Sequence, residues 1–255
     1  MPRVEDKYVK LDPKQHVLKR PDMYAGSIEN GPRVALILNS DNKIEEKNIT
    51  FNPGLFKLAD ETLVNAWDHW QNTQSTSSRV RNIKIDISID DGFISIENDG
   101  SGIPIEWHSE QKMYVPEMIF GNLLTSSNYD DTKPRTTGGK NGLGSKIANI
   151  FSTKFIVDTV DQGKTYKQTF ENNMTIVNPP EISKTKSKPT GTGIKFYPDL
   201  QRFGLTEFSE DFVSFLRMRA YEVSACTDSS VVIYFNGSKV PCKNFEDFVK
   251  VFEVK

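Results

Sequence analysis

One run of nine residues, Gly138-Gly139-Lys140-Asn141-Gly142-Leu143-Gly144-Ser145-Lys146, limits what this chain can fold into more than any other stretch. Four glycines interleaved with Lys, Asn and Ser lead straight into the apolar-periodic Ile147, Ala148 and Ile150, which predicts a loop opening a helix. Glycine permits positive φ and lets backbone approach a ligand closely. The unpaired N–H groups of a helix's first turn then face that ligand with the positive end of the dipole behind them. Such a run is either an anion cradle or a flexible turn before an ordinary helix, and only partners elsewhere in the chain decide between the two.

The first partner lies on a strong helix over about Leu55 to Trp70, where Leu55, Leu58, Ala59, Leu63, Ala66 and Trp67 fall at helical spacing. Asp60, Glu61, Asn65 and Asp68 sit on it, and Glu61 and Asn65, four apart, share a face. A solvated acidic face would explain the carboxylates. Asn65 is a mediocre helix former among Leu, Val and Ala, which points to a specific role for its amide. Two alternating strands follow, Ile83 to Ile89 and Phe93 to Ile96, joined by a tight turn at Asp90-Asp91-Gly92. The second runs into Asn98-Asp99-Gly100-Ser101-Gly102, a strand end able to present one polar side chain while the glycines let a ligand lie against the backbone.

A short helix is expected over Pro116 to Leu124, and then a long polar segment from Thr125 to Thr137 leads to the glycines. A polar loop of that length inside a domain reads as a lid. Further strands are expected at Lys154 to Val160, Thr165 to Phe170, Thr175 to Val177 and Gly193 to Tyr197, with Lys184, Lys186 and Lys188 forming a basic cluster between them. An amphipathic helix over Phe208 to Ala225, a hairpin about Asn236-Gly237 and a helix from Phe245 to Phe252 close the chain. At the other end, Pro2, Pro13 and Pro21 predict an extended arm to about residue 27, with room for a turn or two of helix at Gln15 to Lys19. A hairpin about Asn39-Ser40-Asp41-Asn42 follows.

Strands in neighbouring hairpins, with no regular βαβ alternation, give an α+β class: a two-layer sandwich of a mixed, mainly antiparallel sheet packed on helices. The formal net charge of −2 leaves no global basic field, so nucleic-acid binding would need a local patch. Cys226 and Cys242 alone argue against a disulfide scaffold or zinc site and fit a reducing, intracellular setting. No apolar run reaches membrane-spanning length, and the first residues lack a signal peptide's apolar core.

Taken in order, these pieces resemble the GHKL (Bergerat) ATP-binding domain shared by DNA gyrase, the ninety-kilodalton heat-shock chaperones, sensor histidine kinases and MutL. They are the helix with Glu61 and Asn65, Asn98 before Gly100 and Gly102, the lid, the glycine run, and Thr192 in Thr190-Gly191-Thr192-Gly193. Within it the chain is most similar to eukaryotic-type type II DNA topoisomerases, through Leu18-Lys19-Arg20-Pro21-Asp22-Met23-Tyr24-Ala25-Gly26-Ser27, Met113-Tyr114-Val115-Pro116-Glu117, Leu123 to Asp131 and Asn149 to Phe155. The resemblance runs from about Tyr8 to the last residue.

What the resemblance implies is a cofactor set of ATP and Mg²⁺. Glu61 would be the catalytic base acting on the water that attacks the γ-phosphate, and Asn65 would ligate the metal. Asn98 would read adenine with support from Thr192. Ser126, Ser127 and Asn128 would contact ribose and phosphate, and Gly139, Lys140, Asn141, Gly142, Leu143, Gly144, Ser145 and Lys146 would cradle the phosphates. Departures from the relatives' pattern are His69 for Asn, Lys140 for Arg, Leu143 for Tyr and Trp67 for a small residue; His69 reads as a packing or surface group, and Lys140 keeps charge without Arg's bidentate fork.

The resemblance further implies residues 1–27 as an arm exchanged between two copies and 28–255 as the ATP-binding domain. It also implies that the transducer, with its γ-phosphate lysine, and the DNA-cleaving domains belong to a longer protein, so that slow turnover is expected of this chain alone. Partners would be a second copy of the chain, through an ATP-dependent homodimer, and double-stranded DNA through the full-length enzyme, with no membrane. Localisation would be nuclear in a cellular eukaryote and at a viral factory or in the host cell's cytoplasm or nucleus for a virus. Two alternatives stay open: a nucleotide-switched, chaperone-like scaffold without a DNA role, and a degenerate binding module.

Overall fold

The computed structural model describes residues 8–39, 41–123, 125 and 143–252. Helix α1 (Pro13–Lys19) is held by a reciprocal cap in which the Asp12 carboxylate accepts from the Gln15 N–H at 2.9 Å and the Gln15 side chain accepts from the Asp12 N–H at 3.3 Å. A 3₁₀ turn, Pro21–Met23, follows. The arm is therefore less extended than its prolines predict, because Pro13 and Pro21 each stand at the first turn of a helical element, where a missing N–H costs nothing. From α1 on, it is docked on the body. Val17 and Ala25 are buried, Lys14 donates to the Met174 carbonyl at 2.9 Å, and the Gly54 N–H donates to the Ser27 carbonyl at 2.8 Å.

Strands β1 (Gly31–Leu38) and β2 (Ile44–Phe51) form a separate antiparallel hairpin. Helix α2 (Pro53–Thr73) starts at Pro53 with Asn52 as cap, whose side chain accepts from the Leu55 N–H at 2.9 Å and donates to the Ile28 carbonyl at 2.7 Å. One cap residue thus starts the helix and fastens the chain that precedes the hairpin. The apolar stripe read from the sequence is the buried face, with Leu55, Leu58, Ala59 and Leu63 fully enclosed.

Strands β3 (Asn82–Ser88) and β4 (Phe93–Asp99) come next, and then a small hairpin, β5 (Trp107–His108) with β6 (Met113–Tyr114), which stands apart. The later strands are β7 (Ser152–Asp161), β8 (Lys164–Glu171), β9 (Ile176–Val177), β10 (Glu181–Lys184), β11 (Gly191–Pro198), β12 (Val232–Phe235) and β13 (Ser238–Lys239). Among the described residues the main sheet has nine strands, in the order β10-β8-β7-β11-β4-β3-β12-β13 with β9 pairing β8. All its pairings are antiparallel except β12 beside β3.

Period-2 alternation puts Ile83, Ile85, Ile94, Ile96, Phe155, Val157, Phe170, Ile194 and Phe196 into one core with α2, with α4 (Gly144–Ile150) and with α5 (Glu210–Ala225). The opposite face is polar: Lys84 lies 3.9 Å from Glu97, and the Lys195 ammonium sits 3.4 Å from the centre of the Phe93 ring. That is the one-sided burial an antiparallel sheet tolerates, and it makes the fold the expected two-layer α+β sandwich. Helices α3 (Val115–Gly121) and α6 (Phe245–Val251) complete the described chain. None of the described helices is long and apolar enough to cross a membrane.

Candidate functional site

Two structures meet at the candidate site, the outward face of α2 and the ends of three strands. Glu61 is half-buried in the middle of α2 and forms an ion pair with Lys57 one turn earlier. Asn65 follows one turn later on the same face, exposed. Gly144, the first residue of α4, rests against Glu61, so closely that a Cβ at this position would overlap the Glu61 carboxylate. The end of the glycine run is thereby seated on the acidic helix. A side chain at this position would have to displace the Glu61 carboxylate: the constraint is close approach, since Gly144 does not adopt a positive φ.

The strand ends form a polar row. Asn98 continues the core-facing series Ile94, Ile96 on β4; Thr192 precedes Ile194 and Phe196 on β11; Thr159 follows Phe155 and Val157 on β7. Register puts Asn98 opposite Thr192 and Thr192 opposite Thr159, so the three side chains cross the sheet at one level where its apolar face ends. Thr159 ties the row together. Its hydroxyl donates to the Gly191 carbonyl at 2.9 Å, lies 3.0 Å from the Thr192 hydroxyl, and accepts from the Ile103 N–H at 3.0 Å. Asp99, adjacent to Asn98, serves the fold, accepting from the backbone N–H groups of Arg81 and Asn82 at 2.6 and 2.8 Å and from the Asn82 amide at 2.6 Å. Gly100 turns the chain at φ +104°, and a Cβ on Gly102 would collide with the Val160 carbonyl, which holds the loop against β7.

His69 spans from α2 to this loop. Its Nε2 lies 2.9 Å from the Ser101 carbonyl, a contact that the Nε2–H tautomer donates, and burial lowers its pKa below the usual histidine value. The neutral ring bridges the helix to the N-D-G-S-G loop, in keeping with a packing role.

On the far side, α4 is tied to the start of the polar segment. Lys146 is buried, its ammonium donating to the Thr125 carbonyl at 2.6 Å, and burial lowers its pKa to about 8. Thr125 donates to the Met118 and Asn122 carbonyls at 2.8 Å, and the Asn149 amide donates to the Phe120 carbonyl at 3.0 Å. Of the residues singled out in the sequence, Glu61, Asn65, Asn98, Leu143, Gly144, Ser145, Lys146 and Thr192 lie in the described structure. Ser126, Ser127, Asn128, Gly139, Lys140, Asn141 and Gly142 lie outside the described residues. Sequence reasoning missed Thr159, whose only signal was a polar residue in phase with buried ones at a strand end.

The arrangement fits a nucleotide. The row of Asn98, Thr192 and Thr159 sets polar side chains in line at the strand ends, and the carboxylate of Glu61 stands beside the backbone of Gly144. No group of three or more His, Cys, Asp and Glu among the described residues forms a metal cage.

Residues 52–202 match the family model for histidine kinase-, DNA gyrase B- and HSP90-like ATPases. The chain is 43% identical over 250 residues to DNA topoisomerase 2 of Saccharomyces cerevisiae and 41% identical over 251 residues to that of Arabidopsis thaliana. These alignments cover 97% and 98% of this chain but 17% of each relative. The chain thus spans about a sixth of the length of these relatives. Among solved structures, the ATPase region of Saccharomyces cerevisiae topoisomerase II superposes with a TM-score of 0.91 at 43% identity, over 97% of this chain and 65% of that one. The ATPase and transducer domains of Balamuthia mandrillaris DNA topoisomerase II superpose with a TM-score of 0.93 at 37% identity, over 99% and 65%.

Proposed function

Because this chain belongs to the histidine kinase-, DNA gyrase B- and HSP90-like ATPase family, we propose that it is the ATP-binding and hydrolysing gate of a longer type II DNA topoisomerase. The seat of Gly144 on Glu61 is the observation that supports this most directly, since it sets a mid-helix carboxylate beside the loop expected to hold phosphates. Asn98, whose amide nitrogen donates to the Asp99 carbonyl at 2.8 Å, would accept from the adenine amino group, with Thr192 opposite it in register. Backbone N–H groups of 143–146 and the Lys146 ammonium would face the phosphates. Ser126, Ser127, Asn128 and the residues from Gly139 to Gly142 are proposed as the remaining contacts.

Glu61 would orient a water in line with the γ-phosphate and take its proton. Lys57 holds that carboxylate in place along the helix. The Asn65 amide oxygen would hold Mg²⁺, which when bound offsets charge on the phosphates. In the longer protein, nucleotide binding would draw two copies together through the N-terminal arm, and duplex DNA would be passed through the gate so formed. The compartment proposed is the nucleus in a cellular eukaryote. A nucleotide-switched scaffold is not favoured, because the relatives that match nearly the whole chain are topoisomerases.

The test is Glu61→Gln in the full-length enzyme. Nucleotide affinity is expected to stay within a few-fold of wild type, while turnover falls by about 10²–10⁴-fold, the usual contribution of general base catalysis. Wild-type turnover in this variant would refute the assignment.

A further inference from the structure

The basic cluster of Lys184, Lys186 and Lys188 takes no part in the site described above, and the fold puts it somewhere specific. β10 is the outermost strand of the sheet, and its register on β8 sets Lys184 directly opposite Lys164. Like charges facing each other across a strand pair are destabilising. The register is nevertheless pinned: the Thr165 hydroxyl lies 2.7 Å from the Ser183 hydroxyl, and the Thr185 N–H donates to the Gly163 carbonyl at 2.8 Å. The Thr185 hydroxyl also accepts from the N–H groups of Ser187 and Lys188, which shapes the segment bearing the last two lysines.

Residues 161–167 and 181–188 hold five lysines against two carboxylates, in a chain whose net charge is −2. Asp161 and Glu181 stand across from Lys164 and Lys167, which leaves Lys184, Lys186 and Lys188 without a facing acid. All five lysines are exposed, and none forms an ion pair among the described residues. Lysines that merely guard a sheet edge against mispairing belong on the edge strand itself. That accounts for Lys184, but Lys164 is on the inner neighbour and Lys186 and Lys188 lie beyond the strand's end.

We propose that this corner of the sheet, built from Lys164, Lys184, Lys186 and Lys188, is a contact surface for the phosphate backbone of duplex nucleic acid. Lysine presents a compact, exchangeable point charge suited to a row of phosphates read without sequence preference. The inference rests on the proposed function, which brings duplex DNA to the longer protein, and adds where on this chain the duplex lies: at the sheet edge, well away from the Asn98 position on β4.

The experiment measures binding of a fluorescent 30-base-pair duplex to the 255-residue chain by anisotropy between about 25 and 200 mM salt. It compares wild type, a Lys184→Gln, Lys186→Gln, Lys188→Gln triple variant, and a control triple, Lys10→Gln, Lys43→Gln, Lys239→Gln, with the same change in net charge. The slope of log K against log salt is about −0.9 per phosphate contact, so the first triple is expected to lose about 2 to 3 of it and the control essentially none.

Equal slopes in wild type and the first triple, an equal loss in the control, no duplex binding by wild type at low salt, or equal competition by polyaspartate would each overturn the proposal. Binding of a non-hydrolysable ATP analogue, measured on the same samples, keeps the two readings apart. Loss of analogue binding in wild type would sink the nucleotide reading and leave the duplex result standing, while an unchanged slope would sink the surface alone.

Discussion

The two ends of the candidate site are built by different means. At the end proposed for adenine, Asn98, Thr192 and Thr159 stand on three adjacent strands of one sheet, their relative positions set by backbone register and by hydrogen bonds of 2.9 to 3.0 Å about the Thr159 hydroxyl. At the end proposed for the phosphates, Glu61 and Gly144 come from two helices that meet through an absent side chain, and Lys146 reaches across to Thr125. A ledge fixed by a ladder of backbone bonds gives constant recognition. A seat fixed by one close contact and one lysine has fewer restraints, which suits the γ-phosphate contact proposed for it.

The largest expected break of that comparison is Gly144→Val. The new side chain would occupy the space of the Glu61 carboxylate, and displacing a catalytic group by about 1 Å costs on the order of 10²-fold in rate. Turnover of the full-length enzyme should fall by about that factor while adenine-dependent binding changes much less. Steady-state kinetics beside analogue titration checks it, and equal losses in both would show that the two ends do not act separately.

Next is the pH response of Lys146. Burial depresses its folded pKa to about 8 from 10.5 in the unfolded chain, so between these values the unfolded state binds more protons and stability rises with pH. The rise should be on the order of 2 kcal/mol across about pH 8 to 10.5 and absent in Lys146→Met. Urea melts at several pH values measure it; an identical slope in the variant would assign the rise to another group.

Thr159→Val probes the rigid end. It leaves the Ile103 N–H without its acceptor and Thr192 without its neighbour, a loss of about 1–2 kcal/mol. If the row acts as one recognition ledge, analogue affinity falls by roughly 5- to 10-fold with turnover at saturation preserved. A drop in saturated turnover would contradict the division between the ends.

The same contrast decides what could be read in the sequence. Asn98 and the helix carrying Glu61 were legible because each depends on local periodicity, two for a strand and 3.6 for a helix. Thr159 was not, since a threonine at a strand end is ordinary until β11 is set beside β7 in register, a pairing of distant segments. β10 was missed because Glu181, Ser183 and Lys184 lack the apolar alternation of a half-buried strand; among the described residues its partner is β8 alone, and it is exposed throughout. In the arm, the turn or two of helix expected at Gln15 to Lys19 is present as α1, which starts two residues earlier because Asp12 and Gln15 cap it reciprocally, a pairing that the prolines obscure. The contact of Gly144 with Glu61 had no sequence signature beyond the glycine itself.

The smallest expected effect is that of Lys57→Gln, and it refines the picture of the phosphate end. Lys57 and Glu61 are one turn apart on α2, and both are partly exposed. Such a pair contributes about 0.3–0.5 kcal/mol to stability, so the melting temperature should move little. Its bearing on chemistry is orientation: without the ammonium, the Glu61 carboxylate samples more rotamers, while Gly144 still walls off one side of its space. Turnover should therefore fall by only about 2- to 5-fold, far short of the Gly144→Val loss, because a partly exposed ion pair is worth less than about 1 kcal/mol. A fall of about 10²-fold at unchanged nucleotide affinity, the size expected of a misplaced catalytic group, would make Lys57 a principal positioning group for the base. It would also move the origin of the site's geometry from the glycine contact to the helix itself.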